Sequence, residues 1–426
     1  MNIIHGDCLE ELKKLEDNSI DAVVCDPPYG LSNTKPAQVA DVLKAWVTGD
    51  TEAVPTTKVG FMGASWDSFV PPPAVWEECM RVLKPGGHMA VFAGARTQDL
   101  MGLSIRLAGF EIRDTLGWVY GSGFPKSQNI SLQIEKQAGK RGHTAKGFVT
   151  AGDYGGRGLT SPDTKVQHSP LTMDEAKQWD GWGTALKPAI EPIILARKPL
   201  DGTVASNVLA HGVGGLNIDA CRVPSDTPIP SHHGTSGAAG VTMGKYRDYV
   251  PGSETAASVE NVQTAGRFPA NVLLDEHAAK EMDKQSGVSI SSVRVNVEKD
   301  YTSSQSLTPD SGKGGDRGHS DSGGASRFFP VFKYQAKAPK KERPVIERED
   351  GSKIQHNTVK PLALMEWLVS LIVPPGGVVL DPFAGSGTTL QAALNKGFQP
   401  IGIEQDADYI KLIEKRLEAT CTTHKN

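Results

Sequence analysis

The stretch "GGVVLDPFAGSGTTLQAALNKG" (376–397) reads as three pieces in a row: a short buried strand, a glycine-rich turn and a helix. That order brings backbone amides and a helix N-terminus to the edge of a sheet, where a ligand can meet them. Two phosphate-binding readings fail on single residues. A P-loop requires lysine after its last glycine, and Thr388 follows Gly387. A dinucleotide fingerprint requires a third glycine where Leu390 stands. The turn suits a ligand without phosphates, such as S-adenosylmethionine, which needs close backbone approach plus groups for its amino-acid and ribose parts. The next strand, "PIGIEQD" (400–406), ends in Glu404, an acid placed to accept from both ribose hydroxyls. An ordinary tight turn between strand and helix is the bland alternative.

Working outward, strands and helices alternate at both ends of the chain. "NIIH" (2–5), "DAVVCD" (21–26), "HMAVFAG" (88–94), "EIRDTLGWVY" (111–120) and "EPIILARK" (191–198) read as strands. "CLEELKKL" (8–15), "PAVWEECMRVLK" (73–84), "TQDLMGLSIRLAG" (97–109) and "PLALMEWLVSLI" (361–372) read as helices, two of them opened by proline. This alternation predicts an α/β fold with a mostly parallel central sheet and helices on its faces. Between about 121 and 340 the pattern weakens, apart from 191–198, which reads as a strand returning to the core sheet. Residues 286–326 are rich in Ser, Gly and Asp and read as flexible. Three regions follow: 1–120, an inserted loop-rich region 121–340, and 341–426.

Composition narrows the class. The 426 residues carry a net charge of −4, so no basic tail dominates, but charge is unevenly spread. Residues 1–50 hold nine acids and four bases, whereas 121–170 hold seven bases and three acids. "KYQAKAPKKER" (333–343) adds five bases to one acid. Lys126, Lys136, Lys140, Arg141 and Lys146 are candidates for phosphate contacts, with a solvated surface the equal alternative. The five cysteines include no C-x-x-C pair and the histidines show no ligand spacing, so no metal is expected. No apolar run approaches membrane-spanning length and the N-terminus does not resemble a signal peptide, which together predict a cytoplasmic protein without a membrane partner.

"IDAVVCDPPYG" (20–30) carries the chemistry. The DPPY it contains resembles the catalytic motif of amine-methylating DNA methyltransferases, whose target, an exocyclic amine on a nucleobase, is a poor nucleophile because its lone pair is delocalised into the ring. Two acceptors holding its hydrogens favour the tetrahedral geometry that attack on a methyl group requires. Asp26 offers a carboxylate. Pro27 offers a carbonyl, stiffened by the Pro27–Pro28 pair. Tyr29 offers a ring on which an extruded base can stack. A strand-end turn is the alternative for the tetrapeptide alone.

Taken together, "DPFAGSGTT" followed by "GIEQD" resembles the cofactor motifs of S-adenosylmethionine-dependent DNA methyltransferases, and "DPPY" resembles the catalytic motif of those that methylate amines. The order, with DPPY at 26–29 and the glycine motif at 383–387, resembles the permuted beta-type adenine-N6 and cytosine-N4 enzymes, including phage and prophage members. "HNTVKP" (356–361) is similar to that group's H-P-T-x-K-P, with Asn357 in place of proline. The resemblance covers about 1–120 and 340–420. It implies a Rossmann-like methyltransferase domain built by both ends of the chain, with 121–340 as the DNA-recognition insertion. It implies catalytic roles for Asp26, Pro27, Pro28 and Tyr29. It implies cofactor contacts from Asp7, Thr358, Lys360, Asp381, Phe383, Ala384, Gly385, Ser386, Gly387, Thr388 and Glu404. Lys360 and Thr358 would lie near the cofactor's methionine end, and Asp7 near its adenine. Asp7 as a helix N-cap, and Thr358–Lys360 as a helix entry, are the structural alternatives. Trp118 and the aromatics of "SRFFPVFKY" (326–334) are read as core before DNA contacts. The implied reaction is methyl transfer to adenine N6 in double-stranded DNA, because the group tends to use DPP for adenine and SPP for cytosine. Cytosine N4, an RNA or protein amine, and an inactive DNA-binding copy are the rivals. The group often dimerises, and a homodimer and a partner restriction enzyme are both compatible with the sequence.

Overall fold

The computed structural model describes residues 2–423 apart from 33, 56–66, 122, 124–126, 141–169, 226–228, 231–262, 265, 291–320, 333–341, 349 and 357. Lys126, Arg141, Lys146 and Asn357, most of the basic run 333–343 and most of the 286–326 stretch therefore lie outside the described residues.

Nine strands form one sheet: β1 (Asn2–His5), β2 (Ile20–Cys25), β3 (Leu83–Phe92), β4 (Glu111–Val119), β5 (Ile190–Arg197), β6 (Val272–Asp275), β7 (Val331–Phe332), β8 (Val378–Asp381) and β9 (Gln399–Glu404). Their spatial order is β1-β9-β8-β2-β3-β5-β4-β6-β7. Every pairing is parallel except the two made by β5, which runs against β3 and β4. The two ends of the chain meet at the centre of the sheet. There β8 pairs with β2 through Leu380↔Val23 and with β9 through Asp381↔Gly402. Parallel neighbours present their carboxyl ends together, so DPPY, the glycine turn and Glu404 emerge at one edge.

Among the described residues of the larger unit, Met1–Gly121 and Ile190–Asn426, the helices are α1 (Cys8–Leu12), α2 (Pro36–Val47), α3 (Pro73–Val82), α4 (Gln98–Leu107), α5 (Val204–His211), α6 (Glu276–Ser286), α7 (Leu362–Ile372), α8 (Thr388–Asn395) and α9 (Ala407–Thr423). β2 is buried along its whole length because helices cover both sheet faces. Val23 and Cys25 pack on one side with Trp76 and Cys79 of α3 and Met101 and Ile105 of α4. Ala22 and Val24 pack on the other with Leu364, Met365 and Leu368 of α7 and Ala392 of α8. Trp118 belongs to this second core, fully buried and edge-on to Phe332 at 5.9 Å. Strand 191–198 does enter the sheet, as β5, and β6 and β7 also draw parts of the 121–340 stretch into it.

A second unit, Ser122–Ala189, clusters separately. Its helix Ile130–Gln137 is capped by Asn129, whose side chain accepts from the Leu132 amide at 3.2 Å. Glu135, on that helix, is buried and accepts from the Thr172 hydroxyl and the Met173 amide, at 3.0 and 3.2 Å. Lys136 and Lys140 are exposed on the same unit.

Candidate active site

The DPPY turn leaves β2 between two fixed points. Gly30 adopts φ +65°, and its amide donates to Asp67 Oδ1 at 2.9 Å. A Cβ there would stand 2.7 Å from the Val70 backbone nitrogen, so the turn closes only around glycine. The Tyr29 carbonyl accepts from Thr97 Oγ1 at 2.6 Å, which fixes the peptide before Gly30. Pro27 is buried, whereas Asp26, Pro28 and Tyr29 are half-buried.

Around Asp26 the structure assembles a charged cluster that no single motif contains. Tyr29 donates its hydroxyl to Asp26 Oδ1 at 2.8 Å. Lys360 Nζ lies 3.1 Å from Asp26 Oδ2, 2.9 Å from the Tyr29 hydroxyl and 2.8 Å from Glu191 Oε2. The same ammonium lies 4.7 Å from the centre of the Phe92 ring and 5.2 Å from that of Tyr29. Burial pushes the Asp26 carboxyl up from its usual range, with Lys360 pulling it back and Glu191 pushing it further. Burial acts to lower the Lys360 ammonium, but Asp26 and Glu191 outweigh it and hold the group above its ordinary value. Burial, with the two carboxylates, drives the Tyr29 hydroxyl well up, so it stays a donor at neutral pH.

The glycine turn lies beside this cluster, at the end of β8. Gly385 and Gly387 both take positive φ, at 53° and 78°. The Gly385 amide donates to Glu404 Oε2 at 2.8 Å, and the Asp406 amide donates to Oε1 at 2.9 Å. A carboxylate offers about four acceptor positions, so Glu404 retains capacity for further donors. Ala384 is pinned by its amide to the Ile403 carbonyl at 2.9 Å. Asp381 is buried, accepts from the Phe383 amide at 3.0 Å and from Thr389, and is pushed up to about 7 by that burial. Phe383 packs on Trp76 with ring centres 6.1 Å apart. Ser386 and Thr388 are buried, and the Ser386 carbonyl accepts from Arg416 of α9 at 2.7 Å.

The remaining sequence candidates separate. Asp7 is exposed and caps α1, accepting from Leu9 and Glu10 amides at 3.0 and 3.3 Å. Thr358 is exposed and its carbonyl meets the His356 ring at 3.0 Å, whereas Lys360 turns inward to Asp26 and Glu191. Pro361 is the N-cap of α7, so the helix-entry reading of that segment also holds. Sequence reasoning missed Glu191 and His356. His356 lies against Gly385, edge-on to Tyr409 at 4.7 Å, and burial lowers it to about 4. Its place in HNTVKP was the available signal; for Glu191 there was none. Among the described residues no group of three or more His, Cys, Asp or Glu side chains is placed to hold a metal ion, and no helix is long and apolar enough to cross a membrane.

These residues suit S-adenosylmethionine. The turn is built from left-handed glycines, and a carboxylate with spare acceptor positions closes it. A second carboxylate, anchored by Tyr29 and Lys360, stands at the neighbouring strand end, where a methyl acceptor can be held.

Several known proteins are similar to this chain. The Type II methyltransferase M.HindIII of Haemophilus influenzae is 23% identical over 444 residues, covering 97% of this chain and 94% of that protein. The DNA adenine methyltransferase YhdJ of Escherichia coli is 46% identical over 63 residues, 15% of this chain and 21% of that protein. Of solved structures, the M1.HpyAVI–SAM complex aligns over 98% of both chains at 15% identity, with a TM-score of 0.38. Residues 20–415 match the DNA methylase family of N6 and N4 methyltransferases, and the chain belongs to that family.

Proposed function

We propose that the chain transfers a methyl group from S-adenosylmethionine to the N6 amine of adenine in double-stranded DNA, after the base is flipped from the helix. The observation that carries this reading is the Asp26 carboxylate, held at the carboxyl end of β2 beside the glycine turn of β8. When bound, S-adenosylmethionine supplies a methyl group made electrophilic by its sulfonium. The chain's own residues do the rest. Asp26 and the Pro27 carbonyl accept hydrogen bonds from the two amine hydrogens, which frees the nitrogen lone pair; as the N–CH3 bond forms and the S–CH3 bond breaks to leave a neutral thioether, the surplus amine proton passes by way of Asp26 to solvent. Tyr29 gives the flipped base a ring to stack on. Glu404 accepts from the ribose hydroxyls, and the 383–388 turn receives the cofactor against its backbone. Holding amine and methyl donor in line contributes up to about 7–11 kcal/mol of barrier lowering. The adenine-methylating relative YhdJ and the DPP form of the motif both support adenine over cytosine.

The unit 122–189 is the proposed DNA reader. It carries nine Lys and Arg against six Asp and Glu, in a chain whose net charge is −4.

The test is incubation of the purified protein with labelled S-adenosylmethionine and mixed-sequence duplex DNA, followed by mass spectrometry of the nucleosides. N6-methyladenine that disappears with Asp26→Ala supports the reading. N4-methylcytosine moves the substrate and keeps the mechanism. Bound cofactor without any methylated base sinks the proposal.

A further inference from the structure

We propose that Glu191, at the start of β5, is a positioning residue for methyl transfer: it holds the Lys360 ammonium so that Asp26 keeps acceptor capacity for the target amine. The inference rests on the function proposed above and deepens it.

A lysine ammonium has three N–H donors. Among the described residues Lys360 has three acceptors around it: Glu191 at 2.8 Å, the Tyr29 hydroxyl at 2.9 Å and Asp26 at 3.1 Å. Glu191 is the shortest of the three contacts and Asp26 the longest. The Tyr29 hydroxyl also reaches Glu191 Oε2, at 3.3 Å, as well as its shorter contact to Asp26. Glu191 therefore touches both groups that touch Asp26. Asp26 takes the Tyr29 hydroxyl on Oδ1 and the Lys360 ion pair on Oδ2, which leaves about two of its four acceptor positions for an incoming amine. Without the Glu191 charge, Lys360 loses one of its two counter-ions. Among the described residues the ammonium then has Asp26 alone as counter-ion, and a carboxylate neutralised in that way is a weaker acceptor for substrate.

Among the described residues, the titratable groups facing Asp26 come from four elements. Tyr29 lies on its own loop, Lys360 precedes α7, Glu191 opens β5 and Asp381 ends β8. Of these, Glu191 and Asp381 are the carboxylates, and only Glu191 is bonded to Lys360. Its charge also raises Asp26, so its removal shifts Asp26 downward.

The experiment is a double-mutant cycle on the full chain with Glu191→Gln and Lys360→Gln. It is read as single-turnover methyl transfer to duplex DNA across pH, with S-adenosylmethionine affinity measured alongside. Glu191→Gln alone is expected to slow transfer by about 10- to 100-fold, with cofactor affinity held within about threefold. In the Lys360→Gln background the same change is expected to slow it by less than about threefold, because the ammonium it acts through is gone. The acid limb of the rate profile moves to lower pH in Glu191→Gln. Should Glu191→Gln lose its cooperative melt, Glu191→Asp enters the same cycle, with a smaller first factor and the same non-additivity. Equal factors in both backgrounds, or an unmoved acid limb, overturn the assignment of Glu191 alone. No product from the wild type overturns the proposed function, and this inference with it.

Discussion

Lys360 Nζ stands 3.1 Å from Asp26 Oδ2, joining a residue just before α7 to one just after β2. The contact makes DPPY and the distant T-x-K-P segment one site. Its first consequence concerns pH. Lys360 lowers the Asp26 carboxyl, which burial otherwise raises. Lys360→Met removes that counterweight and leaves Asp26 and Glu191 facing each other. Breaking one side of a buried pair typically costs about 3–5 kcal/mol. The variant is expected to melt below the wild type at pH 8, with the gap narrowing as falling pH protonates a carboxylate. Its methylation rate should recover only at higher pH than the wild type's. A Tm series and a rate profile over the same buffers check both, and identical profiles would refute the electrostatic role.

Gly30 closes the catalytic turn, so it sets a test of rigidity. Its φ of +65° costs a non-glycine residue roughly 1–2 kcal/mol. A Cβ would also meet backbone atoms of Phe69 and Val70, which cannot swing aside as a side chain can. Gly30→Ala is expected to lower stability by about 2 kcal/mol or more, and to slow methyl transfer by shifting Tyr29 and Asp26. Urea unfolding and a single-turnover assay separate the two effects. A variant with wild-type stability and rate would show that the turn has other ways to close.

The sequence made the sheet legible where strands are buried on both faces. Val23, Cys25 and Leu380 sit in unbroken apolar runs because helices cover each side. Asp26 and Glu404 were legible because each ends such a run, where parallel strands present ligand-facing residues. Glu191 was not. "EPIILARK" is an ordinary strand, and its first acid gains meaning only because β5 runs antiparallel. That reversal sets the start of β5 beside the carboxyl end of β3, with Ile193 paired to Phe92. No local pattern records such a reversal. The helices Val204–His211 and Glu276–Ser286 carry few apolar positions at helical spacing, whereas Val39, Val42, Leu43 and Trp46 of Pro36–Val47 do recur at that spacing, a signal in the sequence that was passed over.

Asp381 yields a prediction about stability. Its ordinary value is near 3.8, and burial raises it to about 7 in the folded chain. A carboxyl raised in this way holds its proton more tightly folded than unfolded. Stability therefore increases as pH falls from about 7 toward 4, and the full penalty of the buried charge stands above 7. Asp381→Asn keeps an oxygen to accept from the Phe383 amide and removes that charge. It is expected to melt above the wild type at pH 8, by up to a few kcal/mol in stability, with the gap closing near pH 4. A Tm difference that does not change with pH would show that Asp381 is not buried as a charge.

The unit 122–189 offers the test of DNA reading. Trp179 and Trp182 lie edge-to-face with ring centres 5.1 Å apart, and Trp182 is 59% exposed. Leu186, four residues further on, is 92% exposed. Solvent-facing tryptophans on a unit with a net excess of bases suit stacking on nucleobases, which is worth about 1–3 kcal/mol per base. Stacking and charge leave different signatures. Trp182→Ala is expected to weaken DNA binding by about 5- to 150-fold without changing how affinity falls with salt. Lys136→Ala or Lys140→Ala is expected to weaken binding less at physiological salt and to reduce the salt slope by about one. Cofactor affinity should be unchanged in all three. Fluorescence anisotropy with a labelled duplex, repeated across a salt series, measures both quantities. Wild-type affinity and slope in every variant would place the DNA contacts outside this unit.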